Sequence, residues 1–412
     1  MKTVSASDLV VDDLAPLQRS LRVAMVTETY PPEVNGVATT VARMAEGLRA
    51  RHHAIQLVRL RQNPDDDAGR AERYEEVLLH GMQIPRYPHL KMGVPCTRAL
   101  VALWTRARPD VVHIATEGPL GWSALRAARK LKLPVVSEFR TNFHAYSRHY
   151  GVGWLRKPIV AYLRKFHNQT LRTMVPTEAL RRELQRMGFE NLAVVARGVD
   201  TTLFSPSWRS EVLRARWGAS PQTCVMLCVG RLAPEKNLSV LREAYRAAQV
   251  SGRQLKMVLV GDGPDRAALE QAWPDVHFAG VQRGEELAAH YASADLFVFP
   301  SLTETFGNVV MEAMASGLPL VAFDYAAAAE MVHHGHNGLL APLGDAARFV
   351  SLVCEASADA SRCRSMGDAA RQTAMAQDWG RVVADLEAVL LDALAEGQAQ
   401  VKPLGFSPFR SA

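Results

Sequence analysis

Short apolar runs rich in β-branched residues alternate with segments of helical spacing, and this alternation is played through twice along the 412 residues. In the first half the strand-like runs fall at 23–27, 55–60, 111–115, 135–139 and 174–176, with helical patterns at 37–51, 120–131 and 155–169 between them. The second half restarts with runs at 224–229, 257–260, 277–279, 296–300 and 320–323, and helical patterns at 238–249, 265–273, 285–292, 309–315 and 345–355. A strand that is apolar on both faces belongs in a sheet covered on both sides, and alternation with helices makes that sheet parallel. The chain is therefore predicted to be α/β, with two Rossmann-like, doubly wound parallel-sheet units; its length exceeds what one compact core uses. The expected organisation is a loose tail over 1–20, a first unit over 21–205, a second over 206–378, and an amphipathic helix over 379–398 crossing back to the first. The seam is expected within 201–220, where FSPSW and GASPQ interrupt the pattern.

Composition narrows the class. Hydrophobic residues are 48% and charged residues 22%, ordinary for a globular protein. No apolar run reaches the ~18–20 residues that span a bilayer, and the first twenty residues lack the apolar region of a secretory signal. Five cysteines without a CxxC pair point to a reducing cytoplasm. The net charge of +6 is concentrated: residues 140–186 hold ten Lys or Arg against Glu178 and Glu183. That region is either a solvated basic face or a surface for anionic lipid or a phosphorylated acceptor, a peripheral contact with the inner face of a membrane. Within it, 153–172 reads either as a membrane-lying helix or as a core-packing helix with a wet basic face. No nucleic-acid motif accompanies the charge.

The most informative stretch is PSLTETFGNVVMEAMASGLPLV, residues 300–321. A strand ends at Pro300, a polar loop carries Glu304, and a helix begins near Asn308 with Glu312 one turn inside it. Free N–H groups and the dipole at such a helix start attract phosphate, and Gly307 admits close approach. In GRLAPEKN, Arg231 and Lys236 follow another strand and can both reach a diphosphate; Pro234 argues against a helical Arg231–Glu235 pair. VGDGP at 260–264 fits a tight turn beneath a nucleotide but lacks the third glycine of a dinucleotide fingerprint. In the first half, Asn35 and Gly36 open a helix directly after the first strand, a second anion-binding arrangement. The acidic run 65–67 reads as a solvated loop, and His333, His334 and His336 lack further ligands, so no metal site is expected.

These landmarks resemble the retaining glycosyltransferases of family 4, with the GT-B fold: YPPEVNG, RGVDTTLFSP, VGRLAPEKN, LVGDGP and the Glu-x7-Glu of ETFGNVVME, in that order along nearly the whole chain. The nearest flavour is that of GDP-mannose-dependent α-mannosyltransferases and bacterial glycolipid glycosyltransferases; the alternatives are a UDP-hexose-dependent glycosyltransferase and, behind it, a nucleotide-sugar epimerase on the same fold. The resemblance implies a nucleotide-diphosphate sugar donor, an acceptor of lipid, saccharide or small-molecule type, no cofactor and no metal. It implies that Arg231 and Lys236 hold the diphosphate, Glu304 the donor sugar and Glu312 the ribose. Gly307, Asn308 and Val309 would offer backbone N–H groups, Val281 would lie near the base, and Gly36 would approach from the other unit. The sequence departs at Phe139-Arg140-Thr141, where relatives carry Phe-His-Thr; either Arg140 takes an electrostatic role or His144 supplies the imidazole. His113 is expected to be a satisfied strand residue.

Overall fold

The computed structural model describes residues 19–33, 35–63, 65–84, 87–140, 156–250 and 253–400. The first half is one sheet in the order β10-β9-β8-β7-β1-β2-β4-β3, built from β1 (Arg22–Thr27), β2 (Ala54–Leu60), β3 (Arg70–Ala71), β4 (Tyr74–Leu79), β7 (Val111–Ile114), β8 (Val135–Glu138), β9 (Arg172–Val175) and β10 (Leu192–Val194). Among the described strands of this sheet only the β3–β4 pair is antiparallel. A separate hairpin pairs β5 (Gly81–Ile84) with β6 (Tyr87–Gly93). The helices of this half are α1 (Gly36–Ala50), α2 (Thr97–Arg106), α3 (Pro119–Lys130), α4 (Arg156–His167) and α5 (Glu178–Arg186).

The second half is an all-parallel sheet in the order β13-β12-β11-β14-β15-β16. Its strands are β11 (Cys224–Val229), β12 (Leu255–Val260), β13 (His277–Gly280), β14 (Leu296–Phe299), β15 (Leu320–Phe323) and β16 (Gly338–Ala341). Around them lie α6 (Glu211–Arg216), α7 (Leu238–Gln249), α8 (Arg266–Ala272), α9 (Gly284–Ser293), α10 (Asn308–Ala315), α11 (Ala326–Met331), α12 (Ala346–Ala358) and α13 (Ala360–Met375). Every residue of β11, β14 and β15 is buried, as a strand covered on both faces must be.

The last helix, α14 (Trp379–Gln400), leaves the second half and packs on the first sheet. Its Val382, Val383, Leu386, Leu390 and Leu394 join Leu21, Val23, Met25 and Met44 in one apolar cluster. A polar latch reinforces this contact. The Leu21 N–H donates to His53 Nδ1 at 3.0 Å, so the proton of neutral His53 is on Nε2 and points at Glu387 Oε1, 2.8 Å away. Arg51 pairs with the same carboxylate at 2.5 Å. Among the described residues no helix is long and apolar enough to cross a membrane.

Segments 61–73 and 81–94, for which the sequence offered no strand or helix pattern, contain β3 and the β5–β6 hairpin. One reading of the first half is corrected. The acidic run is not simply solvated: Asp66 lies 2.6 Å from Arg59, which also reaches Glu76 at 2.7 Å. The guanidinium holds the Asp66 carboxyl below its usual range, because it stabilises the ionised form. Each sheet has one point at which successive strands switch sides: between β1 and β7, and between β11 and β14. Such switch points open crevices beyond the carboxyl ends of the strands, where open α/β sheets bind ligands.

Candidate active site

The crevice of the second sheet is built by the loops after β11 and β14. After β11, Gly230 and Arg231 lead into a short 3-10 turn, Pro234–Lys236. That turn brings Arg231 onto the buried carboxylate of Glu235, so the pair that Pro234 argued against does form, through the turn and not along a helix. Arg231 itself is two-fifths exposed, while Glu235 is fully buried. The glycines of 260–264 are explained by contact with this loop. A Cβ on Gly261 would stand 1.9 Å from the Gly230 carbonyl oxygen, and one on Gly263 would stand 2.2 Å from that of Leu232.

After β14 the chain carries Ser301 and Glu304. The Glu304 carboxylate pairs with the Lys236 ammonium and accepts a hydrogen bond from Ser301 Oγ at 2.8 Å. The Tyr325 hydroxyl donates to the Glu304 carbonyl at 3.1 Å, fixing the backbone. Lys236 Nζ also lies 5.5 Å above the centre of the Phe299 ring, within cation–π range. Gly307 caps α10 with φ of 94°, left-handed backbone that glycine adopts without strain. The Val310 N–H donates to the Gly307 carbonyl at 3.0 Å, which leaves the N–H groups of Asn308 and Val309, the first two of α10, at the helix start next to Glu304. One turn on, Glu312 accepts from the Tyr291 hydroxyl at 2.8 Å. Burial raises the Glu312 carboxyl to about 7, with the Tyr291 bond working the other way. Val281 follows β13 and is half exposed.

The opposing half meets this wall at Gly36, the first residue of α1. A Cβ on Gly36 would be 3.1 Å from Asn308 Nδ2, so the two crevices face each other closely. The Asn35 side chain caps α1 by accepting from the Ala38 N–H at 2.8 Å. The structure thus brings together Gly36, Arg231, Lys236, Glu304, Gly307, Asn308, Val309 and Glu312, with Val281 after the neighbouring strand β13. Among the described residues Arg140 makes its ion pairs within the first half and none with Glu304. It is buried in the first half, 2.5 Å from Glu138, whose carboxylate is also 2.7 Å from His113 and 3.3 Å from Arg197. Burial alone would raise the Glu138 carboxyl, but Arg140 and His113 hold it well below the usual range. The same burial lowers Arg140 to about 10. His144 lies outside the described residues.

Sequence reasoning missed the groups that aim the two glutamates. Tyr291 lies near the end of α9, and its hydroxyl reaches Glu312 across 21 residues of sequence; no local pattern reports that contact. Ser301, directly after the strand and three residues before Glu304, was within reach of a spacing argument.

Comparison with known proteins assigns the class. The fold is that of solved GT-B glycosyltransferases. A sucrose-phosphate synthase from Thermosynechococcus elongatus superposes with a TM-score of 0.78 at 19% identity, over 92% of this chain and 100% of that one. WaaG, a glycosyltransferase involved in lipopolysaccharide biosynthesis, superposes at 0.67 and 18%, over 89% and 99%. Residues 34–203 match Glycosyltransferase Family 4, and residues 223–359 match Glycosyl transferases group 1. Among curated relatives, a GDP-mannose-dependent alpha-mannosyltransferase of Mycobacterium tuberculosis is 39% identical over 79% of this chain and 85% of its own. One of Corynebacterium glutamicum with the same name is 33% identical over 92% and 91%. The chain belongs to glycosyltransferase family 4.

Proposed function

We propose that this protein is a retaining, metal-independent mannosyltransferase that moves mannose from GDP-mannose to a hydroxyl of a lipid or saccharide acceptor. The observation that carries this reading is the pairing of Lys236 with Glu304 at the switch point of the second sheet, in a chain similar along most of its length to enzymes named for GDP-mannose. Without donor, the ammonium and the carboxylate satisfy each other. With donor bound, Lys236 and Arg231 turn to the diphosphate, and Glu304 accepts from hydroxyls of the mannose. Glu312 accepts from the ribose, Val281 flanks the base, and Gly307, Asn308 and Val309 present N–H groups to the sugar or phosphates. Gly36 closes on the phosphates from the first half, the acceptor-side unit.

As the bond from mannose C1 to the diphosphate oxygen stretches, negative charge grows on the leaving group, where Arg231, Lys236 and the start of α10 already supply positive field. The acceptor oxygen bonds to C1 on the face the diphosphate leaves, and its proton passes to the departing phosphate oxygen. Arg140 or His144 borders this centre from the first half. We also assign to 21–205 and 206–378 the roles of acceptor and donor units, with α14 as the returning helix. Exposed Lys157, Arg164, Lys165, Arg182 and Arg186 on α4 and α5 give the first unit a face for anionic lipid on the cytoplasmic side of a membrane.

The test is transfer in EDTA from GDP-mannose or UDP-glucose to octyl glucoside or dioctanoylglycerol, with the product linkage read by NMR. An α-mannoside formed without metal, and slowed about 100-fold or more by Lys236→Ala, is the expected result. Turnover of UDP-glucose alone would replace the donor. Loss of activity in EDTA restored by a divalent cation would contradict the metal-free mechanism.

A further inference from the structure

The first sheet has its own switch point, and its chemistry is not used by the donor. β1, β7 and β8 are neighbours, with Val26 paired to Ile114 and Ile114 to Ser137. Beyond their carboxyl ends stand Glu28, Glu117 and Arg140 side by side. Glu28 accepts from the N–H groups of Leu120 at 2.8 Å and Gly93 at 3.3 Å, which ties it to the start of α3 and the end of β6. It also fills the space over Gly118: a Cβ there would be 2.0 Å from Glu28 Oε2. Glu117 is 5% exposed, and among the described residues its Oε1 has no hydrogen-bond partner. Nor has Arg140 Nε, on a side chain equally buried. Tyr162, from α4, donates its hydroxyl to the Glu117 carbonyl at 2.8 Å and packs against Trp122 with ring centres 5.7 Å apart, an aromatic wall beside the two acids.

A buried polar atom left without a partner costs about 1–3 kcal/mol, and natural proteins accept that cost at functional or strained sites, or where water or a ligand supplies the partner. Burial and the neighbouring Glu28 raise the Glu117 carboxyl to about 8, so at neutral pH it is mostly a protonated, donating group. The crevice therefore offers donors (Glu117 and Arg140) beside acceptors (Glu28 and the Glu117 carbonyl oxygen). An anionic headgroup would meet Glu28; a cationic one would meet Arg140. A neutral ring of hydroxyls both accepts and donates, and suits an aromatic wall.

We propose that Glu117, with Glu28 and Arg140, forms the acceptor subsite and selects a neutral, hydroxyl-rich ring, a hexose or polyol headgroup, as the group that receives the sugar. This rests on the reading of the first half as the acceptor-side unit. Glu117 acts as a hydrogen-bonding residue and not as the base.

The experiment measures transfer from GDP-mannose to octyl glucoside and to dioctanoylglycerol by wild type, Glu117→Gln and Glu117→Ala, with GDP affinity by calorimetry and Tm for each. Glu117→Gln, which keeps a neutral hydrogen-bonding group, should stay within about threefold of wild type. Glu117→Ala should raise the KM for octyl glucoside about tenfold or more, equivalent to about 1.4 kcal/mol, with GDP affinity and Tm unchanged. An unchanged KM in Glu117→Ala overturns the proposal, as does a wild type that glycosylates dioctanoylglycerol but not octyl glucoside. So does a Glu117→Ala protein that loses only Tm, since a structural role predicts that. A wild type that binds no guanine nucleotide fails the mannosyltransferase reading instead, and the calorimetry shows which has failed.

Discussion

Glu304 and Glu312 are eight residues apart, and the structure gives them different neighbours. Glu304 pairs with Lys236 and accepts from Ser301, whereas Glu312 is half-buried beside Tyr291 with its carboxyl raised to about 7. A carboxyl raised above its unfolded value binds a proton more tightly in the folded chain. Its contribution to stability therefore improves as pH falls from about 7 towards 4.5. In the proposed donor complex ribose hydroxyls donate to the ionised form, so donor affinity should weaken as pH falls below about 7. Calorimetric titration of GDP between pH 8 and pH 6 should show that loss in wild type, and a weak, flat profile in Glu312→Gln. Tyr291→Phe should weaken GDP binding by about 1 kcal/mol through loss of the aiming hydrogen bond. The Glu138 cluster makes a separate prediction. Glu138→Gln strips the counter-charge from buried Arg140 and Arg197 and should lower stability by about 3–5 kcal/mol in urea unfolding.

At the scale of elements, legibility follows burial. Strands β11, β14 and β15 are apolar on both faces and short, and both their place and their parallel pairing could be read from the runs CVMLCV, LFVF and LVAF. β4 was not readable: all six of its residues are half-buried and two are Glu75 and Glu76, because Arg59 and Arg70 supply their partners from elsewhere. The 3-10 turn at Pro234–Lys236 was likewise hidden, since its Arg231–Glu235 pair depends on a geometry that residue spacing does not specify. Asn35, by contrast, is a cap recognisable from its position before a helix, and the structure shows the bond. Asn35→Ala should cost about 1 kcal/mol of stability and loosen the first turn that carries Gly36.

At the scale of the molecule, the crossing segments and α14 help to join the halves. The backbone N–H of Val199 donates to Gln377 at 3.2 Å where the two crossing segments meet, and α14 then latches to the first sheet through His53 and Glu387. Glu387→Ala leaves the buried His53 N–H without a partner and should lower stability by about 1–3 kcal/mol, with the loss seen as faster hydrogen exchange along α14. Gly36 faces Asn308 with no room for a large side chain, so Gly36→Leu should hold the crevice open. Small-angle scattering with GDP-mannose should then give a larger radius of gyration than wild type; equal radii would contradict closure at this contact. The sequence motifs marked both walls of the donor crevice. They did not mark the proposed acceptor wall, because Glu28 and Glu117 become neighbours only when β1 and β7 pair.

The most direct test of the account is calorimetry in EDTA with GDP-mannose, GDP, UDP-glucose and UDP against wild type and Glu312→Ala. Wild type should bind the guanine ligands tightly without metal, and Glu312→Ala should bind them about tenfold or more weakly. Preference for the uracil ligands would contradict the donor, and no binding of any of the four by folded protein would contradict the donor site itself.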